Sequence, residues 1–257
     1  MTKKSALREQ IKIEKSGSNT NKSKLSAKIE HEGTKKGYVM DLRIHSPSSL
    51  GYMALEGIDT APALVRLAKV KGLDVIAVTD YFTGCYIDRV REAAKTTPVT
   101  VIPGVVIRCV MAGCNDVLLL CLFPDSFRSK EVEEFLRDLG VPESAAGNAN
   151  YLLERPFEEV LSKIDAVGAV AIPTTMDKTP YRKSAIPDLV EKYGFRVFDL
   201  SYYSDSVLYF KKMWPHIKFH LLSFSSANAL AQVGNRNSKV MMSAPGFLGL
   251  KSVAARE

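Results

Sequence analysis

The sequence has few of the residues that most often perform chemistry. Among 257 residues there are four histidines, four cysteines and one tryptophan. Cys85, Cys109, Cys114 and Cys121 follow no C-x-x-C spacing, which argues against a structural zinc or a dithiol redox centre. Cys109 and Cys121 lie in apolar runs, where a free thiol acts as a small hydrophobe. A reducing, cytoplasmic setting is the resulting expectation. No apolar run reaches the ~18–20 residues that cross a bilayer, so no membrane partner is expected. The first residues lack the hydrophobic stretch of a secretory signal, and their Lys-rich, Glu-containing character does not match a transit peptide.

Aromatic residues are missing altogether from residues 1–37, and that segment holds most of the charge. The chain has net charge +7, with 35 Lys+Arg against 28 Asp+Glu. Residues 1–37 contain ten Lys/Arg and four Glu, so +6 belongs to them, and the remaining body is nearly neutral. Such a segment buries too little apolar area to offset its ordering entropy, so residues 1–37 are predicted to be a basic, disordered arm. Its lysines suit nonspecific contact with nucleic-acid phosphates. Without aromatics it has no stacking platform for bases.

From Tyr38 onward, strand and helix signals alternate in a body spanning 38–257. Strands are predicted at 38–44, 73–79, 99–103, 105–110, 117–123, 168–173, 195–201, 216–224 and 240–243. Helices are predicted at 61–71, 87–95, 130–139, 157–167, 187–193, 206–213 and 246–255. Thr60 is the N-cap candidate of the first helix, Pro62 lies in its first turn and Gly72 is its stop. Repeated β-α units with apolar strands imply a parallel sheet covered by helices, and about seven such units suit a closed barrel. Residues 140–155 read as an irregular insertion. Phe82, Tyr202, Tyr203 and Trp214 read as packing residues, and His220 as a core histidine.

In a barrel of this kind, chemistry collects at the C-terminal ends of the strands. Those ends read Asp41-Leu-Arg-Ile-His-Ser46, Val78-Thr-Asp-Tyr81, Val101-Ile-Pro-Gly-Val-Val106, Ala171-Ile-Pro-Thr-Thr-Met-Asp177 and Ser225-Ser-Ala-Asn228. In type and order they resemble the motifs of the PHP (polymerase and histidinol phosphatase) family of metal-dependent phosphoesterases, over about residues 38–242. The resemblance implies an α/β fold, a distorted TIM-like (β/α)7 barrel. It also implies two or three metal ions held by His, Asp and Glu at the strand ends.

The chain departs from that pattern at most ligand positions. Arg43 stands where the family's D-L-H-x-H-S has its first histidine, and His45 keeps the second. Tyr81 replaces the histidine of T-D-H, after a retained Asp80. Val106 replaces the glutamate of P-G-x-E, and Leu118 falls where a further histidine is expected. Thr175 replaces the histidine of I-P-A-H. Ser226 and Asn228 replace both ligands of S-D-A-H. A catalytic metal needs about three protein ligands, valine and leucine supply none, and Arg43 places a fixed positive charge where a cation would sit.

These substitutions define the expectations. No metal and no cofactor are expected, with His45 a weak ligand by itself. No catalytic residue is singled out beyond the residual His45 and Asp80. Asp80 is expected to hold the barrel mouth together, with Arg43 as its candidate partner. The candidate ligand-binding set is Arg43, His45, Asp80, Tyr81, Thr175, Ser226 and Asn228, with Lys178 or Arg182 on the following loop. Such a donor-rich mouth suits a phosphate-type anion that is held and not cleaved. The reading is a non-catalytic binding or scaffold protein with a protein partner or a phosphate-containing ligand. Two alternatives stand beside it. One is a weak, atypical phosphoesterase using Mn, Zn or Fe on phosphomonoesters or nucleic-acid phosphodiesters. The other is a nucleic-acid-binding accessory acting through residues 1–37.

Overall fold

A computed structural model describes residues 35–254 and residue 256. The predicted basic arm lies outside the described residues, apart from its last three positions. Strand β1 (Lys36–Ile44) is followed by helix α1 (Thr60–Val70) and strand β2 (Val75–Val78). The cap of α1 is Asp59, not Thr60: Asp59 has extended backbone, and its carboxylate accepts from the Ala61 N–H at 3.3 Å. Thr60 is already helical and buried. Gly72 ends the turn after α1 at φ 71°, a conformation that glycine adopts without steric cost.

Helix α2 (Ile87–Ala94) leads into strand β3 (Thr100–Met111). The two strands expected at 99–103 and 105–110 are one continuous element. Gly104 lies inside it because the neighbouring strands approach closely there. A Cβ at Gly104 would meet Thr79 Cγ2 and Leu122 Cδ2, each at 2.8 Å. Strand β4 (Cys114–Leu122) returns through the short turn at Gly113 and pairs antiparallel with β3, contrary to the all-parallel expectation. A connection that short cannot make the crossover a parallel pair needs.

After helix α3 (Ser129–Asp138), the irregular 140–155 segment and helix α4 (Phe157–Ala166), strand β5 (Val170–Pro173) pairs antiparallel with β4. Two short helices follow, α5 (Pro180–Lys183), which the sequence reading missed, and α6 (Ile186–Glu191). Strands β6 (Val197–Asp199) and β7 (His220–Leu222) form a separate parallel pair on either side of helix α7 (Tyr203–Met213). Strand β8 (Ser238–Met242) and helix α8 (Phe247–Ala254) complete the chain. Tyr202 and Tyr203, read as packing residues, are exposed at 57% and 47% because they sit at the solvent-facing start of α7.

The six-stranded sheet runs β5-β4-β3-β2-β1-β8 and curls around an apolar interior. A single bridge between Thr174 and Asp199 joins the end of β5 to the end of β6. Side chains alternate along the strands. Val106, Leu118, Leu120 and Ile172 point into the curl with Met40, Leu42 and Phe224. Ile107, Leu119 and Cys121 pack on the other face against Val132, Phe135 and Val160. A sheet buried on both faces explains the near-continuous apolar runs that made its strands legible. Three of the four cysteines are buried, and all four are free thiols.

Candidate functional site at the strand ends

Three backbone outliers mark the C-terminal rim of the sheet. Phe82, Thr175 and Ser226 have φ of 52°, 51° and 52°, which side-chain-bearing residues rarely adopt. Each follows or interrupts a motif position singled out from the sequence. Left-handed non-glycine residues cost about 1–3 kcal/mol each and cluster at functional sites.

Arg43, the penultimate residue of β1, is only 6% exposed. Its Nη1 donates to Thr174 Oγ1 at 2.5 Å and to Asp199 Oδ2 at 3.0 Å. Asp199 also accepts from the Thr174 hydroxyl and, through Oδ1, from the Phe224 N–H at 2.9 Å. Burial raises the Asp199 carboxyl above the usual carboxylate range, and the Arg43 charge opposes that rise. Asp199 and Thr174 were not among the predicted residues. The available signal was an aspartate near the end of an apolar strand. The Arg43 Nε is buried and has no acceptor. An orphaned buried donor costs about 1–3 kcal/mol.

The expected Arg43–Asp80 pair is not formed. Asp80 is turned away and accepts from the Ser46 N–H at 2.7 Å, the Ser46 hydroxyl at 2.5 Å and the Ser49 hydroxyl at 2.6 Å. Desolvation pushes its carboxyl up, and the serine bonds oppose that. His45 lies between the two acids' networks. Its Nδ1 is 3.4 Å from Ser49 Oγ and 4.0 Å from Asp80 Oδ1. Its ring stacks on Tyr81, with centroids 5.2 Å apart and planes 11° from parallel. Burial, followed by the neighbouring Arg43 charge, lowers the imidazole to about 4, so His45 is neutral at pH 7. A Ser–His–Asp relay is absent from this geometry, since Ser49 gives its proton directly to Asp80.

The remaining candidates ring the same mouth. Thr175 donates its N–H to the Asp199 carbonyl at 2.7 Å. Arg182 Nη1 reaches Thr175 Oγ1 at 3.3 Å, and Arg182 holds Asp116 through Nε at 2.7 Å and Nη2 at 3.0 Å. Arg108 shares the same carboxylate at 2.7 Å. Burial acts to raise Asp116, but the two guanidiniums outweigh it and the net shift is downward. Of the two loop cations considered, Arg182 joins the site, and Lys178 is exposed. Ser226 and Asn228 flank Ala227, whose carbonyl accepts the His45 N–H at 2.8 Å. Their side chains bond neither Arg43 nor His45, and Asn228 Oδ1 is buried without a partner. Val106 and Leu118 are buried in the apolar interior, with Tyr81 packed on the same cluster.

No protein-family profile and no curated protein matches the chain. Solved structures do. A lesion-specific endonuclease from Pyrococcus furiosus, endonuclease Q, superposes with a TM-score of 0.65 at 19% identity, over 85% of this chain and 56% of that one. Endonuclease Q in complex with a 27-mer duplex carrying an abasic lesion at its active site gives 0.61 at 19% identity, over 86% and 58%. A protein proposed to be a metal-dependent phosphoesterase, from Bifidobacterium adolescentis, gives 0.51 at 12% identity, over 83% and 94%. The chain thus spans a little over half the length of the two endonuclease Q chains. The shared property is the fold, a mixed α/β arrangement with a curled sheet, of the kind the PHP resemblance implies.

The Bifidobacterium neighbour is described as metal-dependent, and the PHP resemblance implies divalent metal, but the residues present at these strand ends do not fit a metal centre. Among the described residues, no three His, Cys, Asp or Glu side chains converge where they could hold an ion. At the ligand positions, Arg43 brings a fixed positive charge, Val106 and Leu118 are apolar, and Thr175 is bonded to a guanidinium.

Proposed function

We propose that this chain is a non-catalytic binding domain built on a distorted, incompletely closed barrel of the PHP type, holding a phosphate-type anion at the strand ends. One observation supports this above the others. A buried guanidinium stands at a ligand position, donating through Nη1 to Asp199 and Thr174 while its Nε has no acceptor. The guanidinium supplies positive charge without a metal, and its planar fork matches phosphate geometry. His45, Tyr81, Thr175, Ser226 and Asn228 form the rest of the mouth in this reading. Asp80 keeps the β1 loop in place through Ser46 and Ser49.

The test is a phosphate titration followed by calorimetry on the wild type and on Arg43→Ala. Saturable binding in the wild type, weakened at least tenfold in the variant, is expected. Absence of binding to the folded wild type rejects the anion. Metal analysis of the purified protein bears on catalysis, because stoichiometric bound metal contradicts the reading.

The neighbours favour a second reading, in which the chain hydrolyses phosphoesters at an atypical metal site. Turnover of phosphomonoesters or of abasic duplex DNA with Mn²⁺, Zn²⁺ or Fe²⁺, lost in both His45→Ala and Asp80→Ala, would establish it over the first.

A further inference from the structure

A second site lies away from the strand ends, where the two sheets fail to join. Strand β7 uses one edge to pair with β6. The His220 N–H reaches the Arg196 carbonyl at 2.9 Å, and the Leu222 carbonyl accepts the Leu200 N–H at 2.9 Å. Backbone groups alternate sides along a strand, so the N–H and C=O of Leu221 face the opposite edge. Strand β8 ends the six-stranded sheet, and its far edge carries no strand among the described residues. The two free edges meet at one point. The Ser223 N–H donates to Ser238 Oγ at 2.8 Å, and that hydroxyl donates back to the Ser223 carbonyl at 3.3 Å. Beyond that clasp the strands part, and a groove of about 610 Å³ opens between β7, β8 and α7.

The groove is apolar inside and basic at its rim. Ile217, Leu221 and Val240 line it, and Lys211 and Lys239 stand exposed on its α7 and β8 sides. Neither lysine pairs with a carboxylate among the described residues. The aromatic residues beneath are not free platforms. Phe210 and Trp214 are 1% and 8% exposed, packed edge-on in an aromatic cluster with Phe219. Stacked nucleobases need open ring faces, so the groove does not suit single-stranded nucleic acid.

We propose that this seam binds an extended acidic peptide segment of a partner protein. The segment adds as a strand to β7, exchanging hydrogen bonds with Leu221. It sets alternate apolar side chains onto Ile217, Leu221 and Val240 and alternate carboxylates toward Lys211 and Lys239. Main-chain pairing supplies affinity in such strand addition, and the alternating pockets supply selectivity. The unpaired lysines decide the charge of the occupant.

Trp214 is the only tryptophan of the chain and lines the groove, so its emission reports occupancy. The experiment titrates full-length protein with a short peptide alternating valine and glutamate, and separately with one alternating valine and lysine and with oligothymidylate. A saturable change in Trp214 emission with the acidic peptide is expected, together with slowed hydrogen exchange at the Leu221 amide. The affinity should fall at least tenfold in Lys211→Glu/Lys239→Glu, whose exposed positions leave the fold intact by circular dichroism. Three outcomes overturn the proposal: no saturable change with the acidic peptide, equal affinity in the charge-reversed variant, or tighter binding of oligothymidylate than of the acidic peptide. The phosphate titration of Arg43 is independent of all three.

Discussion

Arg43 and Asp199 are 156 positions apart in sequence and form a buried ion pair at the mouth. Removing one partner of a buried pair leaves an uncompensated charge, at a typical cost of about 3–5 kcal/mol. Arg43→Ala is expected to lower the stability to urea unfolding by that order, with partial recovery in Arg43→Ala/Asp199→Asn. His45 gives a second measurable signature. Its folded value is about 4, against 6.5 for the exposed imidazole. Between those values the unfolded chain binds the extra proton, so stability rises with pH through this window and is lost as pH falls toward 4. The difference between wild type and His45→Gln isolates this contribution, expected to change by up to about 3 kcal/mol across the window. Asp41, Asp80 and Asp199 are raised by burial and act with the opposite sign, destabilising as pH climbs above the ordinary carboxylate range. A flat wild-type-minus-variant curve would remove the buried-imidazole account. The sequence pointed to Arg43 and His45 because they occupy motif positions. It did not point to Asp199 or Thr174, since a partner this distant leaves no local pattern.

Helix α7 depends on a cap from another part of the chain. The Asp177 carboxylate accepts from the Ser201 N–H at 2.8 Å, the Tyr202 N–H at 2.6 Å and the Ser206 hydroxyl at 2.8 Å. Loss of a cap costs about 0.5–2 kcal/mol. Asp177→Ala is expected to destabilise the fold at the upper end of that range, and Asp177→Asn less, as read by thermal unfolding. Gly104→Ala should cost about 1–3 kcal/mol through overpacking, because the added methyl meets both neighbouring strands. Most elements were legible from periodicity and punctuation, as with α1, expected between Thr60 and Gly72 and found one residue from that start. The two errors have separate causes. Gly104 read as a break because glycine usually marks one, whereas here it permits close strand approach. The antiparallel direction of β4 was missed because apolar runs buried on both faces look alike in either direction.

For the whole molecule, the sequence places +6 of the +7 charge on residues 1–37, and the body is close to neutral. Deleting residues 1–34 removes +4 of this charge, leaves Lys35 and Lys36 in place, and should therefore weaken nonspecific duplex binding strongly. In the full chain, log affinity should fall linearly with log salt, by about 0.9 per phosphate contacted. Binding that survives the deletion with an unchanged salt slope would place the interface on the body. Among the described residues no helix is long and apolar enough to cross a membrane.

Composition, apolar runs and strand-end motifs determined the fold type, the order of most elements and which side chains stand at the strand ends, because these are local properties of residue type and spacing. Tertiary structure alone decided which carboxylate meets Arg43, that Asp80 turns to the serines, that Asp116 draws Arg182 to Thr175, and that the sheet stays open between β7 and β8. Each of those depends on where distant segments come to rest after the core has packed, and no spacing along the chain encodes that distance.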